Sequence, residues 1–249
     1  MSKITSILLI FLVGLFFIGT VDAQWFIDVE SGYVFNGYND VQIPGDTGTR
    51  FSLTEDLKAE SSFFYRLRMG VLLGERHTIS ALYAPLSIQA SGTLNKLVLF
   101  FEEEFPPGVP LEGKYTFNSY RLTYRYALKN SKNWRIGLGF TAKIRDAAVK
   151  LEGDGKTSEK TNVGFVPLLN FLFEYKVTDK ASILLKGDAL ASPGGQGRAE
   201  DVLLAVQYRL NDKIQIRAGY RILEGGADVQ EVYNFALLHF LTLGLKLTF

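Results

Sequence analysis

A serine can attack an ester only when a base lies within hydrogen-bond reach, and this chain offers two histidines for that role, His77 and His239. His77 stands beside an expected tight turn and reads as a solvated turn residue. His239 lies in Leu237-Leu238-His239-Phe240-Leu241, where period-2 alternation puts it on the apolar face with no serine within a few positions. Water-activating acid chemistry needs paired carboxylates with a histidine, and Asp40, Asp46, Asp188 and Asp228 have no neighbouring one. The stretch Asn36 to Arg50 gathers Asn39, Asp40, Asp46 and Thr47 around Pro44-Gly45. It lacks both the regular 1, 3, 5 spacing and the bidentate glutamate of a calcium loop, so it reads as a hydrogen-bonded surface turn. Gly45-Asp46-Thr47-Gly48-Thr49 has no lysine after its glycine and is no phosphate loop, and Glu102 to Glu104 reads as a solvated face. With no cysteine in the chain, thiolate metal sites, a disulfide framework and a lipid anchor on cysteine are excluded. No catalytic, cofactor or metal site is expected.

The charges that remain fall on one side of the chain's alternating segments. Arg66, Arg68, Arg121, Arg125, Arg135, Lys143, Arg145, Lys186, Arg209, Arg217 and Arg221 share the polar faces with fewer acids, chiefly Asp28, Glu30, Glu174 and Asp188. The elements that position them are strands, because side chains two apart share a face. Leu241, Leu243, Leu245, Leu247 and Phe249 alternate with Thr242, Gly244, Lys246 and Thr248 to the last residue. The same pattern predicts strands over 25–36, 63–73, 77–90, about 120–128, 134–145, 162–177, around 183–188, 202–210, 214–222 and 232–249. The connections alternate in length. Long ones fall at 38–50, 91–116, 152–160, 192–198 and 224–231, and short ones at 74–76, 129–133, 178–180 and 211–213.

Residues 1–23 carry Lys3, an apolar run from Ile7 to Ile18, and Val21-Asp22-Ala23 before a cut. They read as a secretory signal peptide, too short for a membrane span of roughly 20 residues, leaving 24–249 as one domain. Charge is near balance, 27 Lys+Arg against 26 Asp+Glu, so the basic footprint of a nucleic-acid binder is missing. Aromatics make up 13% of the chain, rich for a soluble enzyme. Several strands reach the ten or so residues that cross a bilayer at a tilt, with aromatics toward their ends. A soluble sandwich would turn the apolar face inward, whereas a barrel in lipid turns the charged face inward and closes so that no edge is exposed. The expected fold is an all-β transmembrane antiparallel up-and-down β-barrel of about ten strands. Eight or twelve stay open, because 51–57 and 97–103 could each be strand.

The cleavable signal, the ladder of strands and the terminal Leu245-Lys246-Leu247-Thr248-Phe249 resemble small outer-membrane β-barrel proteins of Gram-negative bacteria, the broad group around the OmpA, OmpX and OmpW barrels. The resemblance covers the mature chain and implies a bacterial outer-membrane location, outer-membrane lipids as surroundings, and Phe249 as the signal read by the barrel-assembly machinery. It identifies no subfamily. The lipid- and peptide-hydrolysing barrels of this group need a histidine pointing inward at the outer rim, and neither histidine is expected there. The expected role is non-enzymatic, structural or surface-interacting through the outer loops, with a basic lumen. Paired charges would make that lumen a mostly filled, stiffening plug; unpaired arginines would make it a narrow anion-preferring passage.

Overall fold

The computed structural model describes residues 22–191 and 197–249. Residues 1–21, most of the expected signal peptide, and 192–196 of the expected glycine-rich connection lie outside the described residues. Among the described residues fifteen strands form: β1 (Ala23–Gln42), β2 (Phe51–Ser52), β3 (Lys58–Ala59), β4 (Ser62–Leu73), β5 (His77–Ala84), β6 (Ser87–Thr93), β7 (Val98–Phe100), β8 (Glu103–Phe105), β9 (Pro110–Asn130), β10 (Trp134–Gly153), β11 (Lys156–Lys176), β12 (Ala181–Ala191), β13 (Gly197–Arg209), β14 (Ile214–Val229) and β15 (Val232–Thr248). β5 and β6 pair successively along β9 and share one stave of the wall. With β1, β4 and β9 to β15 they make ten antiparallel staves. The wall is closed, since β1 pairs with β15 from Phe26↔Thr248 to Gln42↔Tyr233 and β9 pairs with β10.

Lipid is the medium that this wall suits. Outward positions carry exposed apolar side chains, among them Trp25, Phe63, Met69, Leu122, Phe140, Leu169 and Leu243, an area that would be costly in water. Aromatic rings bracket the band, as outer-membrane barrels require. Trp134 and Tyr175 meet near the short turns, while Tyr65, Tyr83 and Tyr120 cluster toward the opposite rim.

The long connections differ from the expected loops. The charged segment 152–160 is a two-residue turn, Asp154-Gly155, between β10 and β11. Both turn residues have positive φ, 50° and 70°, the geometry that favours an Asp-Gly hairpin. The segment 224–231 likewise shrinks to Gln230-Glu231 between β14 and β15. β1 extends through Gln42, so 38–42 is strand, and β9 begins at Pro110 within the stretch expected to be irregular to 116. The expected strand over 77–90 breaks at Pro85-Leu86 and resumes to Thr93. β9, β10 and β11 reach 20 to 21 residues, about twice what crosses a bilayer, and their surplus stands outside it. Neither 51–57 nor 97–103 adds a stave to the wall. Phe51–Ser52 adds to β1, and Val98–Phe100 pairs with Glu103–Phe105 as a separate hairpin.

Those two segments fold into the outer mouth. Ile43, Phe51, Leu53, Leu57, Val98, Phe100 and Phe105 are fully or almost fully buried there. They meet the inward side chains Val34, Phe64, Leu151, Leu238 and Phe240 of the strands. Phe64 and Phe240 pack edge to face at 4.9 Å, as Phe51 and Phe100 do at 6.0 Å. Backbone bonds knit the pieces together, Phe101 N–H to Ile43 O at 2.7 Å and Thr49 N–H to Leu99 O at 2.8 Å. Each such side chain contributes about 1.5–3 kcal/mol by leaving water.

Candidate functional site

Below the apolar plug the lumen is charged, and register decides who meets whom. On β1 the inward positions Asp28 and Glu30 lie opposite Arg68 and Arg66 of β4. From β14 the inward Arg217 and Arg221 reach over β15, whose facing positions are Gly244 and Phe240. A side chain on Gly244 would collide with the Arg217 guanidinium, its Cβ 2.6 Å from Cζ. Glycine there gives the arginine room to cross.

Four arginines and four carboxylates interlock in this layer. Arg221 holds Glu30 with two hydrogen bonds, Nε to Oε1 at 2.7 Å and Nη2 to Oε2 at 2.9 Å, the paired geometry that adds direction to charge. It also donates to Asp201. Arg217 spans Glu30 and Asp28, at 2.9 and 2.7 Å. Arg66 reaches Asp201 at 2.8 Å, and Arg121 meets Asp188 at 2.7 Å and Asp201 at 2.6 Å. These eight side chains are 7% exposed or less. Thr141 and Asn170 complete Asp188 with hydrogen bonds of 2.6 and 2.8 Å, and Lys186 approaches Asp28 at 3.4 Å. Bare charges out of water would cost several kcal/mol each, and pairing with hydrogen bonds offsets that cost.

The other expected lumen charges divide between two cavities. On the periplasmic side a cavity of about 590 Å³ is lined by Arg68, Arg125, Arg135, Glu174 and Arg209. Lys246 is there too, a cation that alternation places inward beside them. Among the described residues none of these cations has a carboxylate within ion-pair distance. Arg68 donates to Ser80 at 3.0 Å, Arg209 to the Asp179 carbonyl, and Glu174 accepts from Ser182 at 2.8 Å. Lys143 and Arg145 lie on the other side of the charged layer, in an outer cavity of about 470 Å³. Asp188 and Asp201 border both cavities.

Asp201 is the acid that the sequence expectation left out. It precedes Val202, where the expected strand starts, and the parity that sends Val202 outward sends Asp201 inward. The histidines take the places expected of them. His77 is exposed beside the Gly74–Arg76 turn and bonds Tyr124 Oη at 2.9 Å; His239 faces outward and bonds Tyr220 Oη at 2.6 Å. Among the described residues no group of three or more His, Asp or Glu side chains is placed to hold a metal ion.

The closed wall and its apolar outer belt define an outer-membrane β-barrel of ten staves. No family model and no curated sequence matches the chain. Among solved structures, the outer membrane protease OmpT of Escherichia coli shares the fold with a TM-score of 0.59 over 92% of this chain and 98% of that one, at 11% identity. The attachment invasion locus protein Ail of Yersinia pestis aligns over 90% of this chain and 99% of its own, at 9% identity and a TM-score of 0.40.

Proposed function

We propose that this barrel is non-enzymatic and sealed, and that it works as a structural and surface-interacting protein through its tall extracellular end. One observation carries the reading: the lumen is crossed by a layer of paired charges, and above it the chain's own apolar segments fill part of the outer mouth. The likeness to a protease supports the fold and no more. In this chain His239 points to the lipid side and His77 lies at the periplasmic turns, so neither stands with a carboxylate at the outer rim. Export through residues 1–23 and recognition of Phe249 by the barrel-assembly machinery belong to the same reading, as do the outer-membrane lipids around the belt.

Single-channel recording in planar bilayers tests it. The sealed barrel gives no conductance steps, and steps with anion preference overturn it. A second reading, a narrow anion-preferring passage, draws support from one feature. The two cavities share Asp188 and Asp201, so a single layer of side chains separates them.

A further inference from the structure

The outer cavity holds cations that its own acids do not pair. Lys143, Arg145 and Lys160 line it from the inward faces of β10 and β11. Lys143 is 4% exposed and, among the described residues, has neither an ion pair nor a hydrogen bond; its ammonium rests 4.7 Å from the Phe117 ring centroid. Arg145 donates to Asn162, and its Nε–H has no acceptor. Lys160 approaches Glu231 at 3.9 Å, but that carboxylate is 75% exposed. Asp188 and Asp201 at the floor are already held by Arg66, Arg121 and Arg221, and Glu224 at the side is held by Arg198 at 2.6 Å; Glu200, the remaining acid of the lining, is exposed to solvent and pairs with none of these cations.

Geometry leaves these cations a common target. Lys143 and Arg145 are two apart on one strand, about 7 Å. Gly164 stands opposite Arg145, where a Cβ would come within 3.1 Å of its Nη2, so the guanidinium lies over bare backbone. Much of the remaining lining is apolar, with Tyr115, Phe117, Val149, Leu168 and Leu190 beside the polar Glu200 and Asn234. The volume, about 470 Å³, falls in the range of small-molecule sites, which pair apolar walls with a few placed polar groups.

We propose that this cavity binds a small organic anion, its acidic group set between Lys143 and Arg145 and its apolar body against Phe117, Val149 and Leu168. An anion relieves the cost of a buried cation without a partner, and the apolar walls favour a body over a bare ion. The site goes beyond the sealed-barrel reading and does not depend on it, because binding from the outer face needs no passage through the lumen.

Titration calorimetry on the purified barrel in nanodiscs of neutral lipid tests the proposal, with phenyl phosphate as probe and inorganic phosphate and benzyl alcohol as comparisons. Phenyl phosphate binds saturably, inorganic phosphate more weakly, and benzyl alcohol not measurably. Lys143→Met and Arg145→Gln each weaken phenyl phosphate by roughly tenfold or more, the size of one charge-assisted hydrogen bond. Lys150→Gln, on the same strand outside the cavity, leaves it unchanged. Lys143→Met also raises the unfolding midpoint without ligand, because it removes an unpaired buried charge, and this readout shows that the variant folds. The proposal is overturned if phenyl phosphate fails to bind, if inorganic phosphate binds as tightly, or if Lys143→Met binds like the parent. It is overturned as well if Arg135→Gln alone abolishes binding, which moves the anion to the periplasmic cavity. Conductance is measured separately, so failure here and failure of the sealed-barrel reading are distinct results.

Discussion

Arg66 on β4 donates to Asp201 on β13 at 2.8 Å, although three staves, β1, β15 and β14, stand between them along the wall. The bond therefore runs through the lumen and ties distant parts of the cylinder together. Asp201 also takes Arg121 and Arg221, so one carboxylate answers three guanidiniums. Asp201→Asn leaves Arg66 with only Glu30 at 3.9 Å and takes one of two carboxylates from Arg121 and Arg221, and in a water-poor interior it costs about 3–5 kcal/mol. Urea titration of the barrel in lipid vesicles reads this as a lower midpoint, and an unchanged midpoint removes the layer's structural role.

The plug rests on packing. Phe100 is fully buried against Phe51 and under the hydroxyl of Ser158, which bonds the Phe100 carbonyl at 3.1 Å. Phe100→Ala opens a void and costs about 3–5 kcal/mol if the plug unfolds together with the barrel. A plug that melts separately gives a second, earlier transition in the same urea titration, and protease cleavage within 94–109 locates it.

Leu243 is 68% exposed on the outer face of β15. Leu243→Arg in mid-membrane costs roughly 2–4 kcal/mol. A change within experimental error in vesicles means that this face does not meet lipid chains.

Phe249 closes the outward row of β15, is 68% exposed, and its N–H bonds the Trp25 carbonyl at 2.9 Å. A backbone bond survives truncation of the side chain, so Phe249→Ala spares the folded barrel and slows its delivery. Heat-modifiable migration of the surface-expressed protein is expected to fall in yield without a shift in position. Unchanged yield shows that the ring is no assembly signal.

The ladder was legible because lipid outside and charge inside write the same period of two onto nearly every stave. Alternation assigns a face but neither height nor partner, so Arg66 and Arg68 look equivalent in sequence. Yet one is paired across the lumen and the other donates to Ser80 in the periplasmic cavity. The segments 152–160 and 224–231 read as loops because they are charged. Beyond the bilayer both faces of a hairpin are wet, and charge there marks water rather than an irregular backbone. Asp154-Gly155 was the available turn signal. The plug left only a faint trace, since Leu53 and Leu57 are isolated in a polar stretch and the apolar run Leu97 to Phe101 is too short to show a period.

The pairing of β1 with β15 from Phe26↔Thr248 to Gln42↔Tyr233 has a consequence for the order of folding. The cylinder has its seam between the first strand and the last, so it cannot shut until the far end of the polypeptide arrives. A chain shortened before Val232 would present two raw margins of unmet amides and carbonyls, a surface that recruits other strands. Its natural fate is clumping or removal rather than a smaller barrel.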